Sequence, residues 1–223
     1  MSEHKDKENL RVMEMEKVKG KDFIEMDFTA LTSEGRVFDT TRKEDAKSAG
    51  IYNENFKYES TIVCIGEEQV LKGLDEALVG KEVGKEYEIK LAPENAFGKR
   101  NAKLIKILPA SAFRGKEIEP HAGELVSIDN MLAQIKAVTG GRVVVDFNNP
   151  LAGKEIIYRV KLKRKVEDEK EKISSLAKYY LKYFDMEGEI VKVEGIDNNA
   201  VKSFKEKVKD ILGKAIEVEN KKI

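Results

Sequence analysis

Histidine and cysteine, the side chains most used for neutral-pH acid–base, nucleophilic and zinc chemistry, are few in this chain. It has two histidines, His4 and His121, and one cysteine, Cys64. His4 lies in a charged N-terminal stretch and His121 follows Pro120 in a polar turn. Neither neighbours a nucleophile with which it would make a catalytic pair. Two histidines and one cysteine fall short of a zinc set, and a lone cysteine closes no internal disulfide. Gly140-Gly141 lacks the lysine and the following helix of a phosphate loop. No metal and no cofactor are expected. One constellation remains: Phe38-Asp39 at a strand end, Val70-Leu71 and Leu74 opening a helix, Phe97-Gly98 closing a strand-loop, and Tyr158 on a late strand. Spacing alone favours a hydrophobic core with one stray acid.

The elements that must position these residues are drawn from 223 residues, enough for one or two domains with appendages. Lys+Arg and Asp+Glu are both 41, so the formal net charge is zero and a protein built to coat nucleic acid is disfavoured. Charged residues reach 37%, and glutamine is confined to Gln69 and Gln134, the Lys/Glu-rich bias of hyperthermophile proteins. No apolar run approaches the ~20 residues of a membrane helix. Residues 1–21 have no apolar signal core. A soluble, cytoplasmic protein that binds neither membrane nor nucleic acid is expected.

Residues 1–20 read as a charged, disordered tail. Ile24, Met26, Phe28 and Ala30 alternate with polar residues, a half-buried strand that turns at Ser33-Glu34-Gly35 and returns over 36–40. The polar stretch 41–60 is long for a hairpin connection, and its Ile51, Tyr52, Phe56 and Tyr58 must fold back on something. A strand over 60–65, a helix over 68–78 and a strand over 84–91 follow. A meander of short strands occupies 104–146, and 151–166 is one more strand. The period then turns helical through Ile173, Leu176, Ala177, Tyr180, Leu181 and Phe184. The order helix, strand (189–194), helix, strand (215–218) predicts a separate C-terminal domain.

Several segments together resemble the FKBP-type peptidyl-prolyl isomerases. They are Val37-Phe38-Asp39-Thr40-Thr41, Gly66 with Gln69 to Leu78, Gly80-Lys81-Glu82-Val83-Gly84, and Pro93-Glu94-Asn95-Ala96-Phe97-Gly98. Leu108-Pro109 to Phe113 and Val143 to Lys154 narrow the likeness to the SlyD-like branch, and the C-terminal segment is similar in placement to that of long archaeal members. The resemblance covers residues 21–166. It implies an α+β fold: an antiparallel half-barrel sheet around one short helix, with an inserted small all-β domain and a small α/β C-terminal domain. The implied division is an isomerase domain of 21–98 plus 152–166, an insert-in-flap chaperone domain of 99–151, and a C-terminal domain of 167–223.

The resemblance also implies a shallow apolar bowl for a prolyl ring. Phe38, Val70, Leu74 and Tyr158 would line it, with Phe28 and Phe97 completing it. The Leu71 N–H would donate to a substrate carbonyl, and Asp39 would set a carboxylate beside the rotating imide. Phe28 and Phe97 stand where the family often has Tyr, Leu74 where many members have Trp, and Asn149 where the insert motif has His. These departures imply lower activity and weak macrolide affinity. Partners would be unfolded or partly folded polypeptides containing proline, held by apolar insert residues among Leu104, Ile107, Leu108, Phe113, Met131, Leu132, Ile135 and Phe147. Of these, Leu104, Ile107, Leu108 and Met131 are the expected substrate-binding set, and about half of the eight must form the insert's own core. A non-catalytic holdase chaperone or peptide-binding module on the same fold is the alternative. The C-terminal segment, short of strands and rich in helix apolar surface, is expected to pair with a second copy.

Overall fold

The computed structural model describes residues 16–114 and 119–221. In chain order its strands are β1 (Phe23–Thr32), β2 (Val37–Thr40), β3 (Thr61–Cys64), β4 (Glu86–Leu91), β5 (Ile105–Pro109), β6 (Leu125–Ile128), β7 (Met131–Thr139), β8 (Arg142–Asp146), β9 (Ile156–Lys165), β10 (Asp185–Glu187), β11 (Ile190–Glu194) and β12 (Glu217–Lys221). The α-helices are α1 (Lys43–Ser48), α2 (Lys72–Leu78), α3 (Ser111–Arg114), α4 (Glu169–Leu181) and α5 (Asn198–Leu212). The fold is mixed α+β, with antiparallel pairings and few helices. The chain divides into two units, Met1–Lys90 with Ile157–Ile223, and Leu91–Ile156.

The first unit is organised by β1. Its alternation buries Ile24, Met26 and Ala30, as a strand with one face on a core must. One edge of β1 takes both β3, in the register Phe23↔Cys64 to Met26↔Thr61, and β2, with Ala30↔Asp39 and Thr29↔Thr40. The sheet order is β2-β1-β9-β4, with β3 also on β1. Leu74 and Leu78, on one face of the seven-residue α2, are fully buried.

The C-terminal segment packs on this same unit. Ile173, Leu176, Ala177 and Leu181 of α4 share a core with Phe23, Cys64, Val166, Val191, Val193, Phe204 and Val208. Asp168 caps α4, its carboxylate accepting from the Glu171 N–H at 2.9 Å. Gly213, left-handed at φ 70, ends α5. β11, α5 and β12 form a parallel crossover, and β10 pairs with β11 through the turn Gly188-Glu189. The sheet therefore has three strands, one more than the two expected. β10 escaped the sequence reading because Asp-Met-Glu is too short and polar to show a period of two. The helix stripe that called for a cover finds it within the chain, while Tyr179 and Tyr183 remain exposed, Tyr183 at 81%.

The second unit carries the four-stranded antiparallel sheet β5-β8-β7-β6. Phe113, Val126, Ala133, Ile135, Val143 and Val145 form its core, with Leu108, Ala110, Ile128 and Phe147 packed against them. A buried polar knot holds its base. Arg100 pairs with Asp146, Asn148 Nδ2 donates to Asp146 Oδ1 at 2.7 Å, and Asn101 N–H donates to Asn148 Oδ1 at 2.8 Å.

Three local expectations are corrected. The expected tail lies mostly outside the described residues, but its last part is ordered. Val18 is buried, its N–H donating to Lys81 C=O and its C=O accepting from Gly80 N–H, because one apolar residue among charges suffices to seat a strand end. The helix expected from Glu68 begins at Lys72, since Glu68 is left-handed (φ 51) and cannot propagate a right-handed turn. The strand expected from Leu151 begins at Ile156, after a turn through Gly153 at φ 77.

Candidate active site

Threonines fix the strand end that presents Phe28 and Asp39. Thr41 Oγ1 accepts from Phe28 N–H at 2.9 Å, and Thr40 Oγ1 donates back to Phe28 C=O at 2.9 Å. The Thr40 hydroxyl also lies 2.9 Å from that of Thr29, which donates to Asp45 of α1. The 41–60 connection thus folds back on the strand pair, and its tip closes on itself through Tyr52, Phe56 and Tyr58, stacked or edge-on at 4.9–5.5 Å.

The Phe28 and Tyr158 rings meet at 5.6 Å with a 54° tilt, a favourable offset geometry. Tyr158 is buried, and burial, with Asp39's charge second, pushes its phenol up to about 12. Asp39 reaches solvent, yet partial enclosure raises its carboxyl above the usual carboxylate value, opposed by a hydrogen bond from Thr40 backbone. Phe38 is half-buried beside it. The site is thus an aromatic surface with one carboxylate that is costly to keep charged.

The second wall comes from the loop before α2. Gly66 and Glu68 N–H donate to the two oxygens of buried Asp75, 2.9 Å each. Val70 and Leu71 follow, both half-buried. Leu71 is the residue before the helix; its C=O accepts from Leu74 and Asp75 N–H, and its own N–H has no partner among the described residues. A helix start leaves such donors free for a ligand. Leu74, expected on the floor, is fully buried and has no surface open to solvent.

Phe28, Phe38, Asp39, Val70, Leu71, Leu74 and Tyr158 all belong to the first unit. Phe97 belongs to the second, half-buried after the turn Pro93–Asn95, where Gly98 N–H donates to Pro93 C=O at 2.7 Å. Leu104, Ile107, Leu108 and Met131 lie there too. Ile107 is 65% exposed and Met131 55%, and Leu104 is also open. Leu108 instead packs against the insert core, because it pairs with Val143 while Ile107 pairs with Val144. Cross-strand neighbours share a face, so Ile107 and Val144 point away from that core.

Sequence reasoning missed Asp75, whose acid in a helix carried no signal of a loop-holding role. It also missed Ile105 and Leu125 on the exposed insert strands, which alternation within β5 and β6 could have found. The third omission is a cleft of about 860 Å³ in the first unit. Phe28 and Asp39 line one part of it, and residues of β3 and α4 line the rest. Nothing in the helix period of α4 announces a cleft.

Comparison with known proteins gives two family matches. The FKBP-type peptidyl-prolyl cis-trans isomerase model matches residues 14–114, and the FKBP26 IF-domain model matches residues 106–151. The chain is 34% identical over 146 residues to the short-type peptidyl-prolyl cis-trans isomerase of Methanocaldococcus jannaschii, covering 66% of this chain and 92% of that protein. It is 31% identical over 118 residues to the FKBP-type isomerase SlyD of Helicobacter pylori, covering 52% of this chain and 64% of that one. It is 32% identical over 103 residues to a probable FKBP-type 16 kDa isomerase of Pseudomonas fluorescens, covering 44% and 67%.

Proposed function

The chain belongs to the FKBP-type peptidyl-prolyl cis-trans isomerases, in the SlyD-like branch, and from that premise we propose that it turns X–Pro bonds on the surface built by Phe28, Phe38, Asp39, Val70, Leu71 and Tyr158, with Leu74 beneath; Phe97, which the resemblance also assigns to catalysis, belongs to the second unit. The chain is a peptidyl-prolyl isomerase, and its substrates are proline-containing polypeptides. The observation that carries the site is the packing of the buried Tyr158 ring on Phe28, 5.6 Å apart, beside the strand end that presents Asp39.

Rotation about an X–Pro bond faces a barrier of about 18–20 kcal/mol from partial double-bond character. No bond to a nucleophile is needed. Twisting the imide reduces its charge separation, so an apolar surface binds the twisted form better than the planar one. A ~10⁵-fold acceleration asks about 7 kcal/mol of differential binding. Desolvation on the aromatic surface, the Leu71 N–H on the carbonyl before the proline, and Asp39 beside the imide together supply interactions of that order.

The reading divides the chain into an isomerase part, 21–98 with 152–166, a chaperone insert, 99–151, and a C-terminal domain, 167–223. Ile105, Ile107, Leu125, Met131 and Leu132 support loose holding of unfolded segments by the insert, since all are exposed, and Met131 is adaptable in shape. Held segments would reach the isomerase surface at raised local concentration. Two copies would pair through the C-terminal domain, where Tyr183 and the outer edges of β10 and β12 are unpaired among the described residues. A soluble, cytoplasmic setting goes with this role; among the described residues no helix is long and apolar enough to cross a membrane.

A cis/trans assay on a short Ala-Pro-type peptide, run on the wild type and on Phe38→Ala, tests the site. Turnover that survives Phe38→Ala undiminished would remove the proposed surface from the reaction.

A further inference from the structure

Resting on the site just proposed, we infer that the cleft between β3 and α4 is a second part of the substrate site, which takes the extended polypeptide flanking the proline. Three observations converge there. The cleft is continuous with the isomerase surface, since Phe28 and Asp39 line the same space as α4 residues Ser174, Lys178 and Tyr179. A chain whose prolyl ring sits at Asp39 can therefore continue along this cleft.

The floor of that path is a strand edge. Among the described residues β3 pairs only with β1. Ile65 N–H donates toward β1, to Asp22, while Cys64 N–H donates the other way, to Gln69 Oε1 at 2.8 Å. By alternation Ile62 turns its N–H and C=O outward with Cys64. Thr61, Ile62 and Val63 line the cleft, so an extended segment laid there adds a strand to the sheet.

The walls suit side chains of such a segment. Tyr179 on α4 is 49% exposed and Phe56 on the facing loop is 53% exposed. Both line the cleft, an exposed aromatic on each side. The loop is tied to the helix by Lys178 Nζ to Glu59 at 3.2 Å, so the walls are held as a pair. Gln69 lines this space as well, its Oε1 accepting from the Cys64 N–H at 2.8 Å.

The occupant is thus polypeptide in extended form, selected by its backbone and by bulky side chains on its two faces. The C-terminal segment becomes part of how substrate is recognised, through α4.

The test compares a short Ala-Pro-type peptide with a longer one that carries the same core and aromatic residues on both sides. The wild type should favour the longer peptide through KM by about tenfold, the effect of one buried aromatic anchor. Ser174→Trp, which fills the cleft, and Tyr179→Ala, which removes a wall, should erase that advantage and leave short-peptide turnover in place. Ser174→Ala should keep it. Tyr179→Ala and Ser174→Ala remove only an exposed ring or a hydroxyl, so they serve even if the tryptophan variant misfolds. In NMR titrations the Ile62 amide and the Gln69 side-chain amide should shift with the longer peptide and not with the short one. Equal kcat/KM for both peptides in the wild type, or an advantage that persists in Tyr179→Ala, would overturn the inference alone. Wild-type protein that turns over neither peptide would overturn the site reading, and this inference with it.

Discussion

Asp75, inside α2, binds back to the backbone of Gly66 and Glu68 at 2.9 Å each, so the loop carrying Val70 and Leu71 is fastened to the very helix it introduces. The Leu71 N–H is aimed by this clasp, and Glu68 is kept left-handed by it. Asp75→Ala would remove the buried carboxylate that accepts from both N–H groups, a loss of about 2 kcal/mol by chemical denaturation, as for hydrogen bonds to a charged group. Short-peptide kcat/KM should fall with it. Asp75→Asn keeps one acceptor and should recover part of both. An alanine variant as stable as wild type would show that the clasp positions nothing.

Asp39 sets a trade between activity and stability. Its folded pKa is raised above the ordinary value, so the folded state binds the proton more readily than the unfolded chain. The sign follows: this contribution is fully present below the unfolded pKa and is lost as pH rises through the folded one. At neutral pH the charge is therefore a burden on the fold. Asp39→Asn should raise Tm at pH 7 while lowering turnover, and the gap in Tm should close at acid pH. A lower Tm for the variant at pH 7 would contradict the enclosure of that carboxylate.

Turnover should be nearly flat from about pH 6 to 9, because turning the X–Pro bond needs no proton transfer to a base. A bell centred near 7 would show that a titrating base takes part. Tyr158, with its phenol at about 12, stays neutral across that range. Its contribution to stability should fade only as pH rises from 10.0 through about 12. Tyr158→Phe should then keep the ring contact with Phe28 and most turnover, Tyr158→Ala should lose about tenfold or more, and His121→Ala should change nothing measurable.

On the insert, Ile107→Ser and Leu132→Ser should shift stability by less than about 0.5 kcal/mol, since both side chains are already in water. Refolding of a proline-limited protein should slow, while short-peptide turnover stays. Replacing residues 99–151 by a short turn should give the same split more strongly. An equal fall in both activities would show that the insert is no separate holding surface.

Sedimentation of the full chain and of a truncation after Val166 measures the role of the C-terminal segment. The full chain should be dimeric and the truncation monomeric. The truncation should also lose Tm, because Phe23, Cys64 and Val166 would lose the cover of α4 and α5. A dimeric truncation would move the interface elsewhere.

The isomerase part was readable because its strands alternate cleanly. Ile24, Met26 and Ala30 announce β1, and turn glycines mark where strands end. The insert meander was readable for the same reason, but its inward and outward residues were not. Leu108 and Ile107 differ only in which cross-strand partner they meet, and on the other side of β8 a bulge between Ile135 and Ala137 shifts the β7 register. Val18 and β10 were missed because a single buried residue and a three-residue strand have no period. The cleft was missed for a deeper reason: it exists only where α4 passes β3, and no local spacing encodes that distance.

Cys64 turns the docking of α4 into a measurable clock. The thiol is 1% exposed in the core that α4 and α5 complete, and burial, helped by the charges of Glu67 and Asp75, pushes its pKa up to about 12. While the helices are seated, no thiolate is available to react. Each lift of the C-terminal segment exposes a cysteine with ordinary reactivity, so the rate of thiol labelling reads how often that segment opens, on a chain with no other cysteine to confuse the signal.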